Sequence, residues 1–423
     1  MQSVEHQFDA QVAFLHELAS HASTRGHEQS AQHLMAKALS ERQYETDVWN
    51  VDVSDIAHLP GFSPVLGNYD DALNVVATHH SRIKSGRSLI LNGHIDVVPT
   101  GPIDMWSKPP FDPYQENGWM VGRGVGDMKA GLVANLFALD ALSYIGYQPA
   151  ADVYFQSVVE EECTGNGALA CLHRGYRADA ALIPEPFNEQ LVISQIGVIW
   201  FQVHLRGVPV HVLEAASGSN AIEAAIPLIS ALRGLEKEWN HEQNKHPRYA
   251  HIDHPLNLNI GKIEGGDWAS SVPAWCCFDA RMAIYPGQDI EAAKFKIEAC
   301  LSEAAASDPF LRKNPPEIVY HGFLAEGYAL ADHKKPEAKL AVSSLEKAHQ
   351  MVTGHALKKF AVTATTDARF FGLYADIPTL VYGPIAENIH GFNERVSLDS
   401  MLKVTQSIAL FIADWCGLEH KAN

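Results

Sequence analysis

The sequence predicts an α/β protein, with a mostly parallel sheet interrupted by an inserted α+β sandwich. Three observations predict it. Short apolar strands alternate with helical stretches up to about residue 196, the order that builds a parallel sheet. The stretches 153–159 and 180–183 are near-continuous apolar runs, as in strands covered on both faces. The texture then changes over 197–322 to four strands and two long helices, and the first pattern resumes with a helix at 336–352. At 423 residues the chain is long for one ordinary domain. The expected division is a discontinuous domain, 1–196 and 323–423, around an inserted domain, 197–322.

In order along the chain, Phe8, Val12, Leu15 and Leu18 recur at helical spacing, as do Ala31, Leu34, Met35 and Leu39. The segment Ser23-Thr24-Arg25-Gly26 separates these helices. Residues 44–53 alternate like a strand, and 58–69 read as loop because of Pro60, Gly61, Pro64 and Gly67. Strands follow at 74–78 and 88–92, the second leading into Gly93-His94-Ile95-Asp96. A helix of small and apolar residues is expected at 128–142, and a short one at 168–174. In the inserted part, strands are expected at 198–205, 256–263, 275–284 and 317–321, with helices at 220–239 and 289–305.

Composition excludes several classes. A net charge of −18 repels phosphate backbones, so no nucleic-acid partner is expected. The N-terminus lacks the basic start and apolar core of a leader, and no apolar run approaches a membrane span. The 6 cysteines form no CxxC pair and read as reduced thiols, which suggests a cytoplasmic protein. With 22 histidines, a lone histidine carries little weight.

The candidate chemistry lies at predicted strand ends. His94, Glu161, Glu162 and Glu185 each follow a strand, Asp127 precedes the 128–142 helix, and His390 stands in Asn388-Ile389-His390-Gly391. Functional groups gather beyond the carboxyl ends of the strands in such sheets, so these residues can converge. Two histidines and three carboxylates suit zinc or a similar divalent ion better than calcium. Asp96 is placed to accept the free N–H of the His94 ring and fix its tautomer. A carboxylate left off the metals could act as general base. The bland readings are a chance His-x-Asp pair, a solvated Glu160-Glu161-Glu162 run and a glycine run at 122–126 without the phosphate-loop pattern. His241, His246, His251 and His254 lie in a polar loop and read as surface.

Asn92-Gly93-His94-Ile95-Asp96, Gly122-Arg123-Gly124-Val125-Gly126-Asp127-Met128-Lys129, Glu160-Glu161-Glu162, Pro184-Glu185-Pro186 and His390-Gly391-Phe392-Asn393-Glu394 occur in that order. Together they resemble the acetylornithine deacetylase and succinyl-diaminopimelate desuccinylase family of di-zinc metallohydrolases, which also holds aminoacylases and glutamate carboxypeptidases. The resemblance covers nearly the whole chain and implies a di-zinc aminopeptidase-like catalytic domain. It implies two divalent ions, zinc with cobalt as a substitute, bridged by Asp127. His94 and Glu185 would complete one ion's protein ligands, Glu162 and His390 the other's. Glu161 would be the general base, and the Asp127–Met128 peptide would be cis. The first acidic position is Glu160, where the family usually has Asp.

The inserted domain resembles the family's lid, which implies a homodimer formed through it. His211, in Gly207-Val208-Pro209-Val210-His211, would reach a neighbouring active site and stabilise the oxyanion, although Val212 stands where Ser is usual. Ser270 takes the usual Asn place in a substrate-contact motif, and Arg281 and Arg369 are candidate carboxylate clamps. The implied activity is hydrolysis of a small-molecule N-acyl substrate. Release of an amino acid, as by acetylornithine deacetylase, comes first. A formylaminopyrimidine deformylase, or a dipeptidase or carboxypeptidase, keeps the chemistry and changes the substrate. A non-catalytic binding protein on this fold would require loss of a ligand or the base, and none is missing.

Overall fold

The computed structural model describes residues 1–65 and 67–421; Leu66, inside the loop expected at 58–69, and residues 422–423 lie outside the described residues. The central sheet runs, edge to edge, Glu45–Asn50, Leu73–His79, Val153–Val158, Leu89–His94, Ala180–Ile183, Thr379–Val381, Leu191–Gln195 and Lys359–Val362. Leu89–His94 is parallel to both neighbours, and Thr379–Val381 is parallel to Ala180–Ile183. Antiparallel pairing enters with Glu45–Asn50 and Leu73–His79 on one side, and in one contact between Thr379–Val381 and Leu191–Gln195. The mostly parallel α/β sheet is the architecture that forms.

Strands Leu73–His79, Leu89–His94 and Ala180–Ile183 are buried along their whole length, which explains the apolar runs Val75-Val76-Ala77, Leu89-Ile90-Leu91 and Ala180-Ala181-Leu182-Ile183 within them. Helix Ala130–Tyr144 lies against them and is buried on nearly every face. Its small residues allow close approach: a Cβ at Gly131 would lie 2.1 Å from the Pro184 carbonyl oxygen. The helix begins at Ala130 rather than at 128 because Asp127 and Met128 have non-helical backbone angles; the Asp127–Met128 peptide is cis, as the resemblance implied.

Gly197–Arg206, Trp275–Ile284, Leu258–Gly265 and Glu317–Ala325 form a second, antiparallel sheet. Ile199, Phe201, Val203 and Leu205 point into a core shared with Leu228, Leu232 and Trp239 of helix Ala221–His241 and Ile297 of helix Ile290–Ala306. Trp200, Gln202 and His204 alternate onto the other face. The Asn220 side chain accepts from the Ile222 and Glu223 N–H groups at 3.0 and 3.2 Å, and so fixes where the long helix starts; a cap of this type contributes about 1 kcal/mol.

Periodicity leaves the C-terminal elements unassigned. Strands Lys359–Val362 and Thr379–Val381 are too short to show alternation. Helix Leu398–Cys416 did carry a signal, a Ser397 cap followed by Met401, Val404, Ile408, Phe411 and Trp415 on its buried face. Among the described residues no helix is long and apolar enough to cross a membrane.

Candidate metal centre

Three adjacent parallel strands deliver four of the candidate groups. His94 ends Leu89–His94, Glu161 and Glu162 follow Val153–Val158 on one side, and Glu185 follows Ala180–Ile183 on the other. Asp127 comes from the turn ahead of helix Ala130–Tyr144. His390 comes from the loop between Ala386–Glu387 and Arg395–Ser397, a ribbon that pairs with Trp119–Val121 and so lies over the Asp127 turn.

The side chains converge. His94 Nε2 lies 3.2 Å from Asp127 Oδ1, 3.7 Å from Glu185 Oε1 and 3.8 Å from Glu161 Oε2. His390 Nε2 lies 3.3 Å from Asp127 Oδ2 and 3.1 Å from Glu162 Oε2. The two oxygens of Asp127 therefore face different histidines. Candidate ligand atoms of His94, Glu161 and Glu185 lie within 4.8 Å of one another, as do those of His94, Asp127 and Glu162.

The charge balance of this cluster calls for a cation. Burial opposes a charged His390 ring, yet contacts with Asp127 and Glu162 raise its pKa to about 11. Burial works the same way on His94, and Asp127, Glu185 and Glu161 outweigh it. Burial, then the Asp127 carboxylate, pushes the Glu185 carboxyl well up. Glu162 Oε1 is buried without a hydrogen-bond partner. No Lys or Arg pairs with these carboxylates among the described residues. Divalent cations would replace the protons drawn onto the rings and satisfy the orphaned oxygen, so the donor set fits them.

Two expectations change in detail. The His94 Nδ1 nitrogen bonds the main-chain carbonyl of Asp96 at 2.9 Å, while the Asp96 carboxylate is 3.7 Å away. That carboxylate instead accepts the N–H groups of Glu161 and Glu162 at 3.3 and 3.1 Å. Asp96 thus orients the acidic turn with its side chain and the imidazole with its backbone. Glu160 turns away from the centre at φ 70°. Its carboxylate pairs with Arg25 at 2.6 Å and accepts from the Tyr69 and Thr164 hydroxyls at 2.6 and 2.9 Å.

The remaining candidates stand elsewhere. Arg369 is fully buried: Nη2 donates to the Thr164 carbonyl at 2.7 Å and the guanidinium lies over the Phe370 ring, while Nε and Nη1 have no hydrogen-bond partner among the described residues. Arg281 is half-buried and has no ion-pair or hydrogen-bond partner among the described residues. His211 and Ser270 are exposed on the second sheet's end, where His211 bridges to Ser271 and its Nδ1 accepts the Leu213 N–H at 3.0 Å. Neither contacts a candidate ligand among the described residues. Of the loop histidines read as surface, His246 stacks on Tyr285 with ring centroids 3.8 Å apart, and His254 bonds Glu236.

Two further buried features adjoin the centre. Asp367 is buried beside the centre, and burial raises its pKa to about 7; its place in Thr366-Asp367-Ala368-Arg369 was the available signal. Arg123 and Glu394 form a buried ion pair behind Asp127.

A model of Peptidase family M20/M25/M40 matches residues 90–414. The chain is 33% identical over 365 residues to N-formyl-4-amino-5-aminomethyl-2-methylpyrimidine deformylase of Halalkalibacterium halodurans, covering 83% of this chain and 84% of that one. It is 30% identical to the Bacillus subtilis enzyme of the same name, over 78% and 79% of the two chains. Among solved structures, the di-peptidase Dug1p from Saccharomyces cerevisiae superposes with a TM-score of 0.78 at 15% identity, over 98% of this chain and 97% of that one. Human carnosine dipeptidase 1 gives 0.75 at 15% identity, over 98% of each chain. At these identities the two structures speak for the fold alone.

Proposed function

The chain belongs to the Peptidase family M20/M25/M40, whose members are metal-dependent amide hydrolases, and from that premise we propose that it removes the formyl group from an N-formyl aminomethylpyrimidine. What carries this reading is the likeness to two deformylases over about four fifths of each chain, together with a full set of candidate ligands and base. It moves the deformylase reading ahead of acetylornithine-like deacylation.

His94 and Glu185 would hold one ion and Glu162 and His390 the other, with Asp127 shared, and zinc is the ion this donor set favours. Such ions supply Lewis acidity to the carbonyl and lower the pKa of the attacking water. Glu161 takes the proton of that water and returns it to the leaving amine, so that R–NH–CHO and water give R–NH2 and formic acid. Burial, and next the nearby carboxylates of Glu185, Asp367 and Glu162, raise the Glu161 pKa against the pull of His94, which strengthens it as a base. The main-chain carbonyl of Asp96 keeps the His94 ring oriented.

One observation favours a second reading. An unpaired, half-buried Arg281 suits a substrate carboxylate, as in an N-acyl amino acid or dipeptide. A panel of N-formylaminomethylpyrimidine, N-acetylornithine, N-succinyl-diaminopimelate and dipeptides, assayed with zinc or cobalt, separates the two. The expected result is kcat/KM at least about 100-fold higher on the formyl pyrimidine, since a site built for one polar substrate discriminates strongly. A preference for any carboxylate-bearing amide would transfer the assignment to the second reading. No turnover on any amide would sink both.

The second sheet and its helices, residues 197–322, would act as the lid and join two copies. Leu213, Trp268, Ile226 and Ile263 are exposed apolar side chains there, at 85%, 74%, 61% and 51%. His211, beside Leu213, would then serve the partner's centre as an oxyanion donor. Light scattering should give a dimer, with His211→Ala losing activity but not assembly. A fully active monomer would remove this role. The 6 unpaired cysteines support a reducing, cytoplasmic setting.

A further inference from the structure

Behind Asp127, Arg123 and Glu394 meet at 2.6 Å with side chains 2% and 1% exposed. A buried pair of this kind seldom adds net stability over apolar residues of the same volume, so its presence asks for another reason. Its hydrogen bonds supply one. Glu394 Oε1 accepts the main-chain N–H groups of Gly126 and Asp127 at 2.9 and 3.0 Å. Glu394 Oε2 takes Arg123 Nη1. Arg123 Nη2 donates to the Gly391 carbonyl at 3.1 Å, one residue from His390, and to the Pro99 carbonyl at 3.4 Å, in the loop that leaves His94 and Asp96. Glu394 also closes the loop with its own backbone, whose carbonyl accepts the Gly122 N–H at 2.9 Å.

The pair therefore touches the segments bearing three candidate ligands, His94, Asp127 and His390. These segments need such a tie. The His390 loop contains three non-glycine residues in the left-handed region, Asn388, His390 and Asn393, at φ 57°, 62° and 54°. Asn and His enter this region more readily than other non-glycine residues, yet it stays costly for them, so three such residues in one short loop need tertiary contacts to hold its shape. The approach is also tight: a Cβ at Gly126 would lie 2.8 Å from the Ala386 methyl and 3.3 Å from Glu394 Oε1. Trp106 covers the Arg123 guanidinium at 5.1 Å and packs edge-on against Phe392, which keeps water from the pair.

We propose that Arg123 and Glu394 are positioning residues that set the distance between the Asp127 and His390 ligands by clamping their two loops to the loop after His94. The clamp touches no substrate; it acts through the ligands it holds. The proposal rests on the metal centre inferred above.

The test compares Arg123→Lys, Glu394→Gln and the apolar double variant Arg123→Met/Glu394→Met with the wild-type chain. Each apoprotein is titrated with Zn2+ against a chromophoric chelator, the Co2+-loaded forms are compared by visible absorption, and kcat, KM and Tm are measured. The clamp predicts metal affinity about 10- to 100-fold weaker in both single variants, the usual effect of losing a group that orients a ligand. It also predicts an altered Co2+ spectrum and a kcat at least about tenfold lower, with KM nearly unchanged. The double variant decides between positioning and packing. A packing role lets the apolar pair restore affinity and kcat along with Tm. Positioning lets Tm recover while affinity and kcat stay low, because nothing then accepts the Asp127 N–H. If the single variants do not fold, the double variant alone separates the two roles, and a double variant that also fails to fold overturns the proposal in favour of a purely structural pair. Variants that bind metal and turn over like wild type overturn the clamp alone. A wild-type chain that binds no divalent ion overturns the metal centre, and the clamp with it.

Discussion

Glu161→Gln is expected to lower kcat by about a thousandfold, within the range that a positioned general base contributes, while the protein keeps its full complement of metal. Gln preserves the volume and one acceptor oxygen but cannot carry the proton from water to the leaving amine. The backbone around it should stay in place, because Asp96 grips the main-chain N–H groups of Glu161 and Glu162 and not their side chains. Metal content must be measured along with rate, because Glu161 Oε2 is only 3.8 Å from His94 Nε2 and close enough to Glu185 to be a ligand itself. Metal lost together with activity would exchange the roles of Glu161 and Glu162. Glu162→Gln supplies the contrast: its carboxylate faces His390 Nε2 at 3.1 Å, so the variant should weaken metal binding first.

That the two glutamates can be told apart reflects what the chain alone can and cannot say. The strand ends were legible. Leu89-Ile90-Leu91 before His94, and Ala180-Ala181-Leu182-Ile183 before Glu185, mark buried parallel strands by composition, and ligands beyond their ends follow from the architecture. The orientation of each carboxylate was not legible, because Glu160, Glu161 and Glu162 are chemically identical. A left-handed Glu160 and the Arg25, Tyr69 and Thr164 groups that hold its side chain decide which two face inward. Arg25 and Tyr69 lie 135 and 91 residues away, beyond any local pattern. Arg369 illustrates the same limit: its residue type suggested a carboxylate clamp, while its burial under Gly165 and Phe370, with Nε and Nη1 left without partners, is visible only in the fold. Main-chain acceptors such as the Asp96 carbonyl leave no trace in side-chain identity at all.

Asp127→Asn carries the other large expected effect, loss of turnover to background with well under one ion retained per chain. Its carboxylate is the group whose two oxygens face both histidines, Oδ1 toward His94 at 3.2 Å and Oδ2 toward His390 at 3.3 Å. An amide offers one acceptor oxygen and turns N–H donors toward the other side, where a cation and its ligands would sit. It also removes a unit of negative charge from between the two proposed ion sites, where opposite charge would matter most. His390→Ala should behave differently, because it removes a ligand from one side only: the ion held by His94, Glu185 and Asp127 should remain. The backbone of the turn should survive Asp127→Asn, since Glu394 bonds the main-chain N–H of residue 127 whatever its side chain. Metal analysis of the two variants therefore tests the sharing itself. If Asp127→Asn keeps as much metal as His390→Ala, Asp127 belongs to one ion, and the two halves of the centre are independent sites.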